Sequence, residues 1–227
     1  MLTVRIIPRL ELCSDVVVKE ASNLQHLGAD ELWFWGCHSD MERSNLKSSR
    51  EALSVPITVA CAPRIAEVER ALDAGADRVL VPAHESSLIE NIAKRFGECA
   101  CSVALRTEEA ASGAMRYRID LERGGNLGRD PLRWAQQAVE CGAGEVVLSA
   151  FDKQGARRAP GAELTAMVSA AISVPLVAAG LLAESEFYEA LGAGADAVQS
   201  DALGKDGACS LPTVKRNLAE LGVQVRP

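Results

Sequence analysis

The stretch that decides the fold is Ser173–Asp196, SVPLVAAGLLAESEFYEALGAGAD, because Ser54–Asp77 reads almost the same, SVPITVACAPRIAEVERALDAGAD. Both open with Ser-Val-Pro, continue as a short apolar run, and then place apolar residues at helical spacing. Both reach Gly-Ala-Asp at the same distance from the opening serine, at Gly75 and Gly194. The shared unit predicts a strand, a loop, a helix and a tight glycine turn, used twice in one chain.

The closing glycine of this unit recurs elsewhere. Gly-Ala followed by Asp or Gly, and then by an apolar run, occurs four times, and a helical pattern precedes each glycine. A glycine directly after a helix, feeding a strand, is typical of a helix C-terminus. Four strands are therefore predicted after Gly28, Gly75, Gly142 and Gly194. Four more are predicted at Val4–Leu10, Ile57–Ala60, Cys101–Leu105 and Leu176–Ala179.

Helical patterns separate most of these strands. They cover Ile65–Ala74, Ser87–Phe96, Pro131–Cys141, Glu163–Ala171 and Glu184–Leu191, with a short one at Lys19–Leu27. Alternating strands and helices predict a parallel sheet, and eight units in duplicated halves favour a closed (β/α)8 TIM barrel over an open doubly wound sheet. No GxGxxG follows the first strand, so a dinucleotide fold gains no support.

We expect one domain spanning residues 1–227, since no linker or low-complexity segment interrupts the pattern. The segment Ala110–Gly128 reads as a polar, glycine-rich insertion. Within it, Met115–Leu121 alternates apolar and polar residues, which predicts a small hairpin over the top of the barrel.

The composition narrows the class of protein. The chain has 227 residues, 48% of them apolar but only 4% aromatic, which suits parallel strands buried on both faces. A formal net charge of −7 argues against nucleic acid or an anionic membrane as the main partner. No apolar stretch approaches the roughly 20 residues that span a bilayer, and no signal-type run is seen. We expect a cytoplasmic protein.

Cysteine and histidine usage gives no sign of a metal site. The seven cysteines form no CxxC pair, and none of the three histidines lies at ligand spacing to them. Reduced thiols in the cytosol are the simplest interpretation. We expect no metal and no cofactor.

Candidate reactive groups follow from the barrel, whose working face is the carboxyl end of the strands. Glu11 and Lys19 follow the first strand, and Ser149 and Asp152 end or follow the sixth. Carboxylates facing one another across a barrel mouth can perform acid and base steps. The alternative is that these groups are solvated loop charges.

Charged residues also mark the opposite end of the barrel. Arg5, Glu31, Arg78 and Glu145 lie at or near the first residue of strands one, two, four and six. Two cations and two anions at these places predict a ring of salt bridges, because buried charges need partners. Such a ring can serve as a plug that stabilises the barrel bottom, or it can serve function.

Several segments carry a family resemblance: RIIPRLEL with VVVK, GADELWF, SVPITV, GADRV, GAGEVVLSAFDKQG, and the tail SVPLVAAG, GADAV and SLPTVKRNLAELGVQVRP. They resemble, over essentially the whole chain, the cyclase subunit of imidazole glycerol phosphate synthase (HisF). The sister isomerase of the same pathway, which shares the half-barrel duplication, is the nearest competitor. The resemblance implies a (β/α)8 barrel with lyase activity in histidine biosynthesis. In that reaction a phosphoribosyl intermediate is cyclised and cleaved, with ammonia from a glutaminase subunit docked at the barrel bottom.

The resemblance assigns roles to only part of the mouth. Lys19 matches the family's lysine, Asp152 matches the first acid of its DxDG loop, and Ser149 replaces a threonine conservatively. The charges Arg5, Glu31, Arg78 and Glu145 match the family's ring at the ammonia entrance, with arginine replacing lysine at position 78. The resemblance thereby implies a glutaminase-like partner at the amino-terminal barrel face.

Other catalytic positions depart from the family. The acid of strand one is Glu11, and its extra methylene displaces the proton by about 1 Å, which can cost on the order of 10²-fold in rate. The acid of strand five falls at Arg106, which stays protonated near neutrality. The acid ending strand two falls at Gly36, and the second DxDG acid is Gln154. Glu108 or Glu109 would replace the strand-five acid only through a loop shift.

The two phosphate sites implied by the resemblance are also altered. Glycine-rich backbone is replaced by Ala60-Cys61-Ala62 in the first half and by Ala179-Gly180-Leu181 in the second. Pro82 offers no N–H, and Asp201 would repel a phosphate dianion. The groups that remain for phosphate or substrate binding are Gly180, Arg64 and Ser200.

Three hypotheses follow from the residues and the resemblance together. The first is an ordinary cyclase, and the second is a divergent enzyme on another small, less phosphorylated substrate, using Glu11, Lys19, Asp152 and either Cys61 or His84. The third is a non-catalytic HisF-like scaffold that docks a glutaminase-like partner. We favour a HisF-like barrel in which the standard cyclase reaction is impaired.

Overall fold

The computed structural model describes residues 3–14, 16–109, 117–121, 125–126, 130–152, 154–203 and 209–226. The strands are β1 (Arg5–Glu11), β2 (Leu32–Trp35), β3 (Ile57–Ala60), β4 (Arg78–Pro82), β5 (Cys101–Glu109), β6 (Tyr117–Leu121), β7 (Gly125–Asn126), β8 (Glu145–Phe151), β9 (Arg157–Arg158), β10 (Leu176–Leu181) and β11 (Ala197–Ser200). The helices are α1 (Val17–His26), α2 (Asp40–Ala52), α3 (Ile65–Asp73), α4 (Ser86–Phe96), α5 (Pro131–Glu140), α6 (Ala162–Ala171), α7 (Glu184–Gly192) and α8 (Leu211–Glu220).

Strands and helices alternate along the chain, and β6, β7 and β9 are short antiparallel additions. The alternation confirms the predicted fold class, the α/β (β/α)8 TIM barrel. The chain divides into two compact units, Met1–Val81 with Gln199–Pro227, and Pro82–Val198. The repeat Ser54–Asp77 lies in the first unit and the repeat Ser173–Asp196 lies in the second.

In the first unit, β1, β2, β3 and β4 pair in parallel in chain order. The register sets Glu11 of β1 beside Trp35 of β2. The strands are buried because they carry aliphatic and aromatic side chains on both faces, as parallel strands do. Ile6, Ile7 and Phe34 are fully buried.

In the second unit, β8 lies between β5 and β10 and is parallel to both. The register sets Arg106 of β5 beside Ser149 of β8, and Ser149 beside Ala179 of β10. After Phe151 the chain turns back as β9, which is antiparallel to β8 and sets Arg157 opposite Phe151. Because β5 and β8 are parallel neighbours, their carboxyl ends lie at the same edge of the unit.

The predicted hairpin at Met115–Leu121 is described only in part. Tyr117–Leu121 forms β6, which is antiparallel to the end of β5, with Thr107 beside Ile119. The remainder of the prediction, residues 115–116, lies outside the described residues.

The Gly-Ala-Asp motif joins each helix to the next strand in the same way. The glycine takes a left-handed φ (+95° at Gly28, +107° at Gly75 and +98° at Gly194), which side chains rarely adopt. The aspartate Oδ2 then accepts a hydrogen bond from the backbone N–H that opens the preceding strand. These bonds run from Ile6 to Asp30 (2.9 Å), from Ile57 to Asp77 (2.8 Å) and from Leu176 to Asp196 (2.9 Å). The aspartate of the motif therefore links the segment before each strand to the start of the preceding strand.

The fourth copy has glycine in place of aspartate, and the structure gives the reason. A Cβ on Gly144 would lie 2.3 Å from the backbone oxygen of Glu98 and 2.8 Å from its carbonyl carbon. The backbone N–H of Gly144 still donates to the backbone oxygen of Cys101, at 2.9 Å. In the other copies the backbone N–H groups of the aspartates donate in the same way, to the backbone oxygens of Ile6, Ile57 and Leu176. Close backbone approach therefore excludes any side chain here.

Three helices differ from the sequence prediction by more than one residue, and one of them, α8, is absent from the predicted helices. Helix α1 begins at Val17, two residues before the predicted start at Lys19. Helix α2 is missing from the predicted helices because its apolar stripe is weak, with only Leu46 and Ser49 buried. Its start is fixed by a capping box in which Ser39 and Glu42 bond each other's backbone N–H.

All seven cysteines are free thiols. Burial raises the pKa of the Cys101 thiol to about 12. Among the described residues, no helix combines the length and apolar character needed to cross a membrane.

Candidate functional site

Glu11, at the carboxyl end of β1, lies in a cluster of charged side chains. Arg9, two residues earlier on the same face, approaches Glu11 Oε1 at 3.2 Å with Nη2 and Asp201 Oδ1 at 3.0 Å with Nε. The Arg9 guanidinium also lies over the Trp35 ring, 5.1 Å from its centroid. The buried Gln199 side chain donates to the same Asp201 oxygen at 2.8 Å. Glu11 is thus an exposed carboxylate, and its Oε1 forms an ion pair with Arg9.

The sequence reading missed Arg9. Its signal was available, because residues two apart on a strand share a face, so Arg9 had to face the same side as Glu11. From the sequence alone, Asp201 is predicted only to repel a phosphate dianion. The structure shows it as one of the two carboxylates that hold Arg9.

The other predicted groups of the first unit do not join this cluster through described contacts. Lys19 lies in the first turn of α1, is exposed, and makes no ion pair with any residue that the structure describes. Arg64 is the exposed residue before α3 and makes no side-chain cap. Ser200 is fully buried, and its hydroxyl accepts a hydrogen bond from the Ala202 N–H at 3.1 Å. Ser200 therefore shapes the turn after β11.

In the second unit, Arg106 stands where the resemblance places the strand-five acid. Its guanidinium carbon lies 3.8 Å from the centroid of the Phe151 ring, and the residue is half-buried. Ser149 is its cross-strand neighbour and is buried, and its backbone oxygen accepts from the Thr107 hydroxyl at 3.0 Å. Glu108 shares the Arg106 face of the strand, because it is two residues further along, and is paired in register with Phe151.

Asp152 follows β8, and both of its carboxylate oxygens are occupied. Oδ1 accepts from the N–H groups of Ala156 (2.8 Å) and Gln154 (3.0 Å), and Oδ2 accepts from Nε (3.0 Å) and Nη2 (2.8 Å) of Arg158. The Ala156 N–H, followed by the Arg158 side chain, lowers the pKa of Asp152 below its usual value. The carboxylate therefore stays ionised as the pH falls below its ordinary range, and it orders the β8–β9 turn.

This turn lays an arginine across Gly180. Gly180, the next-to-last residue of β10, has φ +90°, and a Cβ there would lie 2.9 Å from Cγ and 3.0 Å from Nε of Arg157. The side chain of Arg157 therefore covers the glycine of Ala179-Gly180-Leu181, the segment that the resemblance aligns with a phosphate loop. Sequence reasoning did not find Arg157, because its approach depends on the turn that Asp152 closes.

The backbone N–H groups that follow Leu181 already donate to a carboxylate of the chain itself. Glu186, in the first turn of α7, accepts from the N–H groups of Leu182 (2.7 Å) and Ala183 (3.0 Å) with Oε2. A helix N-terminus attracts anions, and here a carboxylate of the same helix satisfies it.

Glu42 accepts hydrogen bonds from backbone N–H groups in the same way at the N-terminus of α2, which follows β2. Its Oε2 accepts from the N–H groups of His38 (2.8 Å) and Ser39 (2.7 Å). A Cβ on Gly36 would lie 2.8 Å from the other carboxylate oxygen, Oε1. The strand-two acid that the resemblance expects is thus a glycine, and the space beside it is filled by the carboxylate of Glu42.

At the amino-terminal end of the strands, Glu31 binds four donors. It is 1% exposed, and Arg5 approaches at 2.7 Å and Arg78 at 3.4 Å. The other two donors are Trp33 Nε1 (2.8 Å) and the Thr58 hydroxyl (2.7 Å). The structure therefore brings together three members of the predicted ring. In the second unit, the buried Glu145 accepts from the Ser102 hydroxyl at 2.9 Å.

Among the described residues there is no group of three or more histidine, cysteine, aspartate or glutamate side chains placed to hold a metal ion. In the first unit Glu11 and Asp201 contact Arg9, and in the second unit Asp152 contacts Arg158 and two backbone N–H groups. Arg9 and Arg106 lie over aromatic rings. Because both oxygens of Asp152 accept hydrogen bonds, Asp152 would have to break one of them to carry a proton.

Comparison with known protein sequences supports the family resemblance. Residues 11–200 match the family model described as histidine biosynthesis protein. The chain is 32% identical to imidazole glycerol phosphate synthase subunit HisF of Sulfurisphaera tokodaii, over 92% of this chain and 87% of the relative. It is 32% identical to the HisF of Leifsonia xyli, over 99% and 98%, and 30% identical to that of a Synechococcus species, over 100% of both chains. The chain therefore belongs to the histidine biosynthesis protein family, as a divergent HisF-like member.

Proposed function

We propose that this protein is a HisF-like barrel in which the standard cyclase reaction is impaired. The observation that carries the proposal is Arg106, which stands at the strand-five position that the family fills with an acid and is stacked on Phe151. A guanidinium stays protonated near neutrality, so it neither takes nor gives the proton that the reaction needs there.

The contacts of the two remaining acids support the same conclusion. Glu11 is paired with Arg9, and the carboxylate of Asp152 is bound by two backbone N–H groups and by Arg158. A general base must be within hydrogen-bond reach of the substrate proton and free to accept it. Asp152 would have to break a contact first, and the negative charge of Glu11 is already balanced by Arg9.

The phosphate loops support it as well. Phosphate binding at a strand–helix junction uses free backbone N–H groups at the helix N-terminus. After β10 those of Leu182 and Ala183 are bound by Glu186, and Arg157 covers Gly180. A divergent enzyme acting on another small substrate would show these same features. It differs from a non-catalytic scaffold because it must also bind that substrate.

The test is turnover of the family's phosphoribosyl intermediate by the purified protein with excess ammonium, so that no glutaminase is needed. HisF of Sulfurisphaera tokodaii serves as the reference. We expect a rate on the order of 10²–10⁴-fold below the reference, since this is the usual contribution of one positioned acid or base. Circular dichroism of the same sample checks that the protein is folded. A rate within about tenfold of the reference would refute the proposal.

We further propose that the face formed by Arg5, Glu31 and Arg78 docks a glutaminase-like subunit. Arg5 and Arg78 are each about one-quarter exposed around the buried Glu31, so both side chains reach the surface at this face. The relatives are each a subunit of imidazole glycerol phosphate synthase, which supports a partner for this chain.

Binding to the glutaminase subunit (HisH) of the same Sulfurisphaera synthase can be measured by titration calorimetry. We expect Arg78→Glu to weaken binding by about tenfold or more, because it places a carboxylate beside Glu31 and reverses the exposed charge. Arg216→Glu, on α8, is the control for charge reversal alone and is expected to bind as the wild type does. Equal affinity of the Arg78→Glu variant would exclude this face.

A further inference from the structure

A groove of about 360 Å³ in the first unit is lined by residues of α2 and of the end of α3. Its volume lies at the lower end of the range for small-molecule sites, about 300–1,000 Å³. None of the lining residues belongs to a strand, so the groove is separate from the strand-end groups described above. Its polar lining consists of Asp40, Arg43, Ser44, Lys47, Arg70 and Asp73.

The helical spacing explains why these charges share one groove. The α2 residues that line it are three or four positions apart from one another, so they form a single stripe along the helix. Leu46 and Ser49 of α2 are buried instead. Arg70 and Asp73 are likewise three positions apart on α3. One charged stripe of each helix therefore contributes to the groove.

Two of the three lining cations already have a carboxylate partner. Arg43 donates to Asp40 Oδ1 and, at 3.3 Å, to the backbone oxygen of His38. Arg70 Nη1 lies 2.6 Å from Glu67 Oε1. The other oxygen of Glu67 is buried and has no hydrogen-bond partner within the described part of the chain. Moving Arg70 away would therefore leave a carboxylate without any donor, which is costly, so both arginines stay with their own partners.

Lys47 and Asp73 are the two lining charges that remain. Both are exposed, and neither forms an ion pair or a side-chain hydrogen bond with a residue that the structure describes. Their charged atoms are therefore more than 4.0 Å apart, although both residues line the same groove. The exposed Ser44 hydroxyl, three positions before Lys47, also lacks a hydrogen-bond partner among the described residues. The α2 side thus offers a cation and a hydroxyl, and the α3 side offers an anion.

This distribution of charge favours a ligand that carries both signs. The three lining cations are matched by the two lining carboxylates together with Glu67, so the groove as a whole attracts neither anions nor cations. A simple anion at Lys47 would gain nothing from Asp73, and a simple cation at Asp73 would gain nothing from Lys47. A molecule with a carboxylate at one end and an ammonium at the other meets a complementary group at both ends.

We propose that the groove between α2 and α3 binds a small zwitterionic amino acid. Its carboxylate accepts from Lys47 Nζ and the Ser44 hydroxyl, and its ammonium group donates to the Asp73 carboxylate. The site uses only helix residues that have no part in the proposed function, so the turnover assay and the binding experiment can fail independently of each other.

Titration with 4-aminobutyrate, followed by the backbone amide signals in nuclear magnetic resonance spectra, tests the proposal. Butyrate and butylamine, which each keep only one of the two charges, are titrated in parallel at equal ionic strength. We expect saturable shifts in α2 and α3, with a dissociation constant on the order of millimolar, because exposed ion pairs are weak. The zwitterion should bind about fivefold more tightly than either single ion. Equal binding of butyrate or butylamine would overturn the proposal, as would shifts that fail to saturate by about 100 mM.

Single variants test each end of the ligand separately. Lys47→Gln and Asp73→Asn should each weaken binding of 4-aminobutyrate about fivefold, to the level of the single ions. Both residues are exposed on helices, so neither change is expected to disturb the fold. Lys94→Gln removes an exposed lysine of α4 and is the matched control, which should bind as the wild type does. Unchanged binding in Lys47→Gln or Asp73→Asn would refute the assigned contacts.

Exchange of the two charges separates bridging from a general effect of surface charge. The double variant Lys47→Glu/Asp73→Lys keeps the net charge and places the cation and the anion on opposite sides. A bridging ligand can turn around, so 4-aminobutyrate should bind within about twofold of the wild-type affinity. A double variant that binds as weakly as the single variants would overturn the proposed bridge.

Discussion

Replacement of Lys215 by methionine is expected to lower the free energy of unfolding by about 3–5 kcal/mol, the usual cost of removing one partner of a buried ion pair. Lys215 Nζ lies 3.0 Å from Asp30 Oδ1, and the side chains are only 7% and 2% exposed. Methionine fills similar space but leaves the Asp30 carboxylate with the Ile6 N–H alone. Urea unfolding followed by circular dichroism measures the change.

The control for this experiment is Lys94→Met, which breaks an exposed pair with Glu90 one helical turn away. Such a pair contributes only about 0.3–0.5 kcal/mol. The double variant Asp30→Asn/Lys215→Met should recover part of the loss, because it removes the buried charge. A Lys215→Met variant as stable as Lys94→Met would show that Asp30 is not buried with its partner as described.

The second large effect is expected at Gly144. Gly144→Ala should lower the free energy of unfolding by about 3 kcal/mol or more, at the upper end of overpacking effects. The reason is that the added Cβ would lie 2.3 Å from the backbone oxygen of Glu98, which cannot turn aside as a side chain can. The same urea experiment measures the loss.

Gly192→Ala provides the matched control, because Gly192 ends α7 and a Cβ there meets nothing within 4 Å. Alanine in a helix is favoured over glycine by about 1 kcal/mol at most, so this variant should be slightly more stable than the wild type. If Gly144→Ala were equally well tolerated, the close approach of the Glu98 backbone would be disproved.

The fold was predictable because its determinants are local and repeated. The strand, helix and glycine turn of Ser54–Asp77 recur at Ser173–Asp196, and the apolar periodicity of each unit decides its type. Helix α2 was missed because few of its residues are apolar and because its start depends on a capping box between Ser39 and Glu42. This capping box is visible in the sequence as Ser39-x-x-Glu42, a pattern typical of a helix N-terminus.

The site was less predictable because its contacts join residues that are far apart in the chain. Asp152 was correctly placed at a strand end, but its two bonds to backbone N–H groups exist only once the turn has formed. The ion pair between Arg9 and Asp201 joins opposite ends of the chain. The covering of Gly180 by Arg157 depends on the β8–β9 register, which sequence patterns do not reveal.

The carboxylates of Glu42 and Glu186 have a consequence for how the fold depends on its surroundings. A binding site lends stability to the native state only in proportion to ligand concentration. A side chain one helical turn away is present at a high effective concentration under every condition. At α2 and α7 the chain therefore supplies its own counter-ion, and the stability of these two helix starts is independent of the metabolic state of the cell.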